Sequence, residues 1–179
     1  MKKVASILFP AFLCLSLAPQ AAVAQGAAPE LFGVGEVIIN YTKFTDANAS
    51  DSCGLAREQL ASVFTSSFAG TTVPAVAMVD AKPQMVGVAR IQLIPEVSTY
   101  VDENLNCASW ISLSAESRIR AVIPPVTAPR NVTAIYWRQH NKVVSGQSLH
   151  PQKVADVVRK MVEQFSQQYR LDQPVALQK

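Results

Sequence analysis

Apolar residues recur at helical spacing in two segments of the chain, which predicts two amphipathic helices. One segment runs from about Cys53 to Phe68 and is followed by Gly70, a typical helix stop. Its apolar stripe consists of Ala56, Leu60, Val63, Phe64 and either Ser67 or Phe68. The other segment begins at Pro151, because proline is favoured in the first turn of a helix. Its apolar positions are Val154, Val157, Val158, Met161, Phe165 and Tyr169.

Stretches rich in β-branched and aromatic residues predict five strands. They lie at 35–44, 73–80, 86–94, 107–118 and 132–139. Pro74 and Pro95 cannot donate to a strand ladder, so we expect the second strand at a sheet edge, and an edge or a bulge at Pro95. His140 and Asn141 tolerate a left-handed backbone, which predicts a tight turn into a short extra strand over 142–145.

The resulting order, β-α-β-β-β-β-α, predicts a two-layer α+β domain. Consecutive strands joined by short polar turns are expected to pair antiparallel in a sheet of four to six strands. Both helices bury their apolar faces most simply on one side of that sheet, which leaves the other face open. Without any matching residues, the element order is similar to that of small envelope accessory proteins, such as the lipopolysaccharide-assembly lipoprotein and the curli secretion accessory protein.

Residues 1–24 have the pattern of a cleaved signal peptide. Lys2 and Lys3 form a basic start, an apolar run follows, and Ala22-Val23-Ala24 supplies the small residues that precede a cleavage site. Pro10 interrupts the apolar run, which is also short for a transmembrane anchor. Cys14 follows a leucine, whereas lipid attachment requires a small residue there. We therefore expect a periplasmic or secreted protein with no transmembrane segment after cleavage.

The expected organisation after the leader is a single domain over 35–171, preceded by a flexible lead-in over 25–34 and followed by a loose tail over 172–179. The chain is 49% hydrophobic, too apolar to be disordered throughout. Its formal net charge falls from +3 to +1 when the leader is removed, because the leader contains two lysines and no acid. A nearly neutral chain lacks the electrostatic footprint of a nucleic-acid-binding protein, so no nucleic-acid partner is expected.

Cys53 and Cys107 are the cysteines that remain after cleavage, an even number in an oxidising compartment. They predict a disulfide. Cys107 shares its strand parity with Ile111 and Leu113, so it points toward the helical layer, where Cys53 begins the first helix. The alternatives are two free buried thiols, or two zinc ligands that would lack both a CxxC motif and a nearby histidine pair.

Strand parity also defines a candidate binding surface on the open sheet face. It assigns Arg90, Gln92, Trp110, Ser112, Ser114 and Glu116 to that face, joined by Tyr136 and Arg138, with Trp137 buried. Exposed aromatic and arginine side chains are typical of contact hot spots. The alternative is a solvated face whose aromatics form stabilising cross-strand pairs. We predict a non-catalytic binding or assembly module that contacts a partner protein or an envelope polymer through Arg90, Gln92, Trp110, Tyr136 and Arg138.

Catalysis has little support in the sequence. His140 and His150 are the only histidines, and there is no Gly-x-Ser-x-Gly nucleophile motif. We predict no cofactor and no metal site. Two alternative functions are an exported hydrolase with His140 or His150 as its base, and a carrier that holds a small apolar ligand between sheet and helices. The hydrolase would bring one histidine within hydrogen-bond reach of a serine or an acid.

Overall fold

A computed structural model describes residues 31–41, 52–81, 87–125 and 127–173 of the chain, and the predicted signal peptide lies outside these ranges. Five strands form one sheet in the spatial order β2-β1-β3-β4-β5. The strands are β1 (Val34–Ile39), β2 (Ala75–Ala77), β3 (Ala89–Val101), β4 (Asn106–Ala121) and β5 (Arg130–Gly146). The helices are α1 (Arg57–Phe68), between β1 and β2, and α2 (His150–Asp172), after β5. The predicted α+β class and element order are confirmed.

Strand pairing is antiparallel in the long half of the sheet and parallel in the short half. β3 pairs antiparallel with β4, and β4 with β5, as expected for neighbours that short turns connect. β2 and β3 differ from the expectation, since each pairs parallel with β1 on opposite sides. For β2 the reason is that α1 connects it to β1, and a helical crossover returns the chain in the same direction. As Pro74 indicates, β2 lies at the sheet edge.

Pro95 causes no interruption, because β3 continues through it to Val101. The carbonyl of Leu93 accepts a hydrogen bond from the backbone of Asn40, just past the end of β1. Pro95 lies two residues further along β3, so its backbone nitrogen points toward the same edge of β3 as the carbonyl of Leu93. At Pro95, β1 has already ended and no longer lies along that edge. The lack of an N–H at Pro95 therefore costs no ladder hydrogen bond, because this part of β3 is a local sheet edge, one of the two arrangements expected for Pro95.

Both helices pack on the same face of the sheet. Leu60, Phe64 and Phe68 of α1 join one core cluster with the apolar residues of α2 and of β1, β3 and β4. Phe165 of α2 lies at its centre, with its ring 6.3 Å from that of Phe68 and 5.3 Å from that of Trp137, both edge-on. The sheet therefore has a helix-covered face and an opposite face, which we call the open face.

The predicted disulfide is confirmed. Cys53 lies in the turn before α1, Cys107 near the start of β4, and their sulfurs are bonded at 2.07 Å. Both cysteines are buried. The bond joins the helical layer to the end of the sheet at which β3 turns into β4.

The predicted turn at His140 and Asn141 is wrong. β5 continues through both residues, with His140 opposite Ser112 and Asn141 opposite Ile111. β4 provides an unbroken partner along this length, and continued ladder hydrogen bonds outweigh the local tolerance of His and Asn for a left-handed backbone. The predicted extra strand is simply the last part of β5.

Packed structure extends beyond both predicted limits of the domain. Leu31 is fully buried, its N–H donates to Asp172 Oδ2 at 3.1 Å, and its carbonyl accepts from Gln173 Nε2 at 2.8 Å. Tyr169 donates to the carbonyl of Val34. The two ends of the described chain thus hold each other. Within the described ranges, no helix has both the length and the apolar character needed to cross a membrane.

Candidate binding face

The structure places four of the five predicted binding residues on the open face, namely Arg90, Gln92, Trp110 and Arg138. Tyr136 is the exception, because it packs against the core cluster. A β-bulge causes this difference: Ala115 pairs with Trp137 and Glu116 with Ile135, so Tyr136 has no partner of its own. The extra residue shifts the alternation by one position. Ile135 consequently takes the open-face place that parity assigns to Tyr136, and its side chain is half exposed.

The charged and amide side chains near β1 are engaged with one another. Arg90 Nε donates to Glu36 Oε2 at 2.6 Å across the β1–β3 pair, and the two side chains form an ion pair. Asn40 Nδ2 donates to Gln92 Oε1 at 3.2 Å. The two pairs lie on either side of Ile38, which is buried although it faces away from the helices. Arg90 and Gln92 therefore help to build this part of the face.

Glu116 organises the neighbouring part of the open face. Its carboxylate accepts a hydrogen bond from Ser114 Oγ at 2.7 Å and lies 3.5 Å from a guanidinium nitrogen of Arg138. The arginine side chain is 44% exposed, whereas that of Glu116 is mostly covered. An ion pair with one exposed partner contributes at most about 1 kcal/mol to stability, so Arg138 remains available for external contacts.

A cleft of about 240 Å³ lies on the open face where the pairing of β3 with β4 ends. Its lining is Asn40, Gln92, Ile94, Glu116, Ser117, Arg118 and Thr133. Arg118 was not singled out from the sequence, although it has the same β4 parity as Glu116. Strand parity in the sequence could not place Thr133 on this face, because its orientation depends on the bulge between it and Arg138.

Three large side chains form an exposed cluster at the other end of the open face. Tyr100, Trp110 and Val144 are 51%, 53% and 51% exposed, and we call them the aromatic cluster. Tyr100 and Val144 lie directly across from Ala108 on its two sides, and Trp110 lies two residues further along the same strand. Ala108 is only 3% exposed because these larger neighbours surround it. Strand parity in the sequence identified Trp110 but missed the other two residues. The third predicted strand ends at Ile94, before Tyr100, and Val144 was assigned to a separate short strand after a turn.

His140 and Lys142 extend this surface along β5. The ring of His140 lies 6.3 Å from the indole of Trp110, and Lys142 lies directly across from Trp110. Both side chains are exposed. The aromatic cluster is therefore bordered by polar groups that can hydrogen-bond to a bound partner.

His150 belongs to a separate, buried polar group on the helix-covered face. Its Nε2 lies 2.7 Å from Ser109 Oγ and its Nδ1 lies 2.9 Å from Ser145 Oγ. Ser109 is also bonded to Thr99 at 2.7 Å. Burial lowers the pKa of His150, and the positive charge of Lys153 lowers it further. The imidazole is thus favoured in its neutral form, with one nitrogen donating and the other accepting.

These contacts meet one geometric condition of the hydrolase alternative, since a histidine lies beside two serines. However, His150 and Ser109 are fully buried and Ser145 is nearly so. A substrate would have no surface on which to approach either hydroxyl in this arrangement. Satisfaction of buried polar groups accounts for all three hydrogen bonds, and the hydrolase stays an untested prediction.

Among the described residues, no group of three or more His, Cys, Asp or Glu side chains is placed to hold a metal ion.

Comparisons with protein-family models, with curated proteins and with solved structures find no significant match to this chain. The function must therefore be inferred from the geometry of the open face.

Proposed function

We propose that this chain is an exported, non-catalytic binding or assembly module that holds a partner protein or an envelope polymer against the open face of its sheet. The observation that carries the proposal is the aromatic cluster. Three large side chains stand half exposed together on one face, where an isolated exposed residue would need no explanation. Tryptophan and tyrosine are the residues that most often dominate the binding energy of such surfaces.

The backbone beneath the aromatic cluster supports this interpretation. Antiparallel pairing continues from β3 through β4 to β5 at this end of the sheet. The disulfide holds Cys107, which is adjacent to Ala108, against the turn before α1. A surface that is already rigid loses little conformational entropy when a partner binds. A disulfide is also compatible with export, because such bonds persist in oxidising compartments.

The polar part of the face supports binding without chemistry. Arg90 and Arg138 each face a carboxylate, and Gln92 is bonded to Asn40. Paired side chains of this kind present a fixed pattern of donors and acceptors to a partner. The cleft beside Glu116 offers a place for one polar group of that partner.

Site-specific crosslinking tests the proposal in the intact cell envelope. A photoreactive amino acid replaces Val144 in the aromatic cluster, and Leu171, an exposed residue of α2, serves as the matched control position. We expect a discrete crosslinked product at position 144 that is absent at position 171 and is reduced at least tenfold by Trp110→Ala. Digestion with protease distinguishes a protein partner from an envelope polymer.

Equal crosslinking patterns at positions 144 and 171 would remove the basis of the proposal. A folding control accompanies the experiment, since loss of the product counts only if the Trp110→Ala protein retains its cooperative thermal transition. If that variant does not fold, Tyr100→Ser provides a second test of the same cluster, because its side chain is equally exposed.

A further inference from the structure

The β4–β5 hairpin continues beyond the body of the sheet. β3 pairs with β4 only as far as Glu116, opposite Gln92, whereas β4 and β5 remain paired as far as Ala121 and Arg130. Residues 117–125 and 127–134 therefore form a two-stranded projection, which we call the arm. In the body of the sheet the helices cover one side of each strand, but every described residue of the arm from 122 to 130 is exposed.

The tip of the arm is unusually apolar for a surface loop. Its described residues are Val-Ile-Pro-Pro at 122–125 and Thr-Ala-Pro at 127–129, which include no charged residue and a single hydroxyl. Val122 and Ile123 are 56% and 50% exposed, and Ile119 also reaches solvent. Surface loops are normally polar, so an exposed apolar tip indicates a contact with another apolar phase.

The prolines of this loop suit it to a medium without water. Backbone N–H groups that leave water without a partner are costly, and this cost restricts which loops can enter a bilayer. Pro124, Pro125 and Pro129 have no N–H group, so the loop has fewer donors that require a partner. The same residues stiffen the tip, which reduces the entropy lost on insertion.

The stem of the arm is purely basic. Its charged residues are Arg118, Arg120 and Arg130, and positions 117–134 contain no Asp or Glu. Arg118 and Arg120 lie on one side of the two-stranded ribbon, while Arg130, opposite Ala121, lies on the other. All three are exposed. The stem therefore has positive charge on both sides of the ribbon.

This distribution fits a planar anionic surface better than a protein groove. A groove contacts one side of a ribbon, whereas a plane that the tip penetrates meets the charges on both sides at once. Arg120 and Ile123 are three residues apart, a separation of about 10 Å in extended chain. That distance matches the depth of about 5–10 Å to which interfacial segments bury their apolar groups below lipid headgroups.

We propose that the arm docks the protein on a bilayer surface that carries anionic lipid headgroups, with Val122 and Ile123 entering the acyl boundary and the arginines at headgroup level. Each arginine near such a surface strengthens partitioning by about fivefold at moderate salt. The attraction weakens as salt screens it. This docking uses Arg118, which also lines the cleft beside Glu116, but it leaves the aromatic cluster at the other end of the open face free for its own partner.

Vesicle sedimentation of the protein purified after export, with its N-terminus identified by mass spectrometry, tests this proposal. The probes are vesicles of pure phosphatidylcholine and vesicles with about 30% phosphatidylglycerol. We expect the wild-type protein to bind the anionic vesicles at least tenfold more strongly, and more weakly at high salt. The triple variant R118Q/R120Q/R130Q is expected to lose about 100-fold in partitioning. V122S/I123S is expected to lose at least tenfold while retaining its thermal transition.

A matched variant on α2 controls for net charge. R159Q/K160Q/R170Q also removes three positive charges, here from exposed positions on α2, and we expect its partitioning to stay within twofold of wild type. Equal losses in the two triple variants would overturn the proposal, because they would indicate non-specific charge attraction. Absence of wild-type binding to anionic vesicles would also overturn it, and a protein crosslinked at Ile123 in that case would identify the arm as a protein contact.

Discussion

Removal of the Cys53–Cys107 disulfide is expected to lower the free energy of unfolding by about 4 kcal/mol. The bond connects residues 54 positions apart, and in the chain-entropy model a closed loop of this length restricts the unfolded chain by about that amount at 25 °C. The stability of a single domain is typically about 5–15 kcal/mol. This one bond therefore contributes a large share of the expected total.

Equilibrium urea unfolding, followed by tryptophan fluorescence, measures the effect. The samples are the oxidised protein, the same protein under reductant, and the variant C53A/C107A with and without reductant. We expect reductant to destabilise the wild type by about 4 kcal/mol and to leave the double variant unchanged. The double variant is expected to be the least stable, because Cys→Ala also removes two buried sulfur atoms from the core.

Two results would refute this reasoning. A difference below about 1 kcal/mol between oxidised and reduced wild type would mean that restriction of the unfolded chain does not dominate the effect of the bond. A mass that does not increase by two hydrogens on reduction would mean that the two cysteines are free thiols. The mass measurement is independent of the stability measurement, so each result has its own interpretation.

Three further predictions concern the core, the buried histidine and the binding face. Phe165→Ala is expected to lower the unfolding free energy by about 3–5 kcal/mol, since the ring is fully buried among other aromatic rings; a urea midpoint close to that of wild type would contradict this. Because the pKa of His150 is lowered in the folded protein, the unfolded chain binds the proton more readily. Stability should therefore be constant above about pH 6.5 and fall as pH decreases below it, and His150→Gln should remove that part of the pH dependence in urea unfolding between pH 5 and 8. Trp110→Ala is expected to cost only about 1–2 kcal/mol, because the indole is half exposed, while crosslinking at position 144 falls at least tenfold; a larger stability loss with unchanged crosslinking would assign the indole to the fold alone.

Helix α2 shows how much local sequence can specify. Apolar spacing predicts a helix that begins at Pro151, and the helix begins one residue earlier, at His150. The buried residues of α2 include Val154, Val158, Met161, Phe165 and Tyr169, all from the predicted stripe. Helical periodicity is a property of neighbouring residues, so it can be read without knowledge of the rest of the chain. The same local parity put Cys107 on the side that faces Cys53.

The errors occur where a distant strand decides the local conformation. His140 and Asn141 have acceptable turn chemistry, but the length of β4 keeps them in a continuous strand. Tyr136 has the correct parity for the open face, but a bulge opposite Ala115 and Glu116 turns it toward the core. A bulge is defined by the pairing of two strands. The sequence of one strand does not show its register with the other, so the bulge could not be predicted from it.

Some residues of the candidate site could be predicted from local sequence, and others only from the alignment of the strands. Parity alone assigned Trp110 and Arg138 to the open face. The aromatic cluster required the alignment of three strands, which brings Tyr100 and Val144 to the two sides of Ala108. The hydrogen bonds of His150 likewise join residues from β4, β5 and α2 that are up to 41 positions apart.

From the sequence by itself came the fold class, the order of the elements, the core stripe of each helix and the pairing of Cys53 with Cys107. Each of these follows from a repeat of two or 3.6 residues, or from a count of residue types, and needs no distant information. Only the tertiary structure decided the parallel placement of β1 between β2 and β3, the bulge, the exposed cluster around Ala108 and the projection of the arm beyond Glu116. These features depend on strand register and on where a neighbouring strand ends, which are set when distant segments compete to bury the same apolar faces.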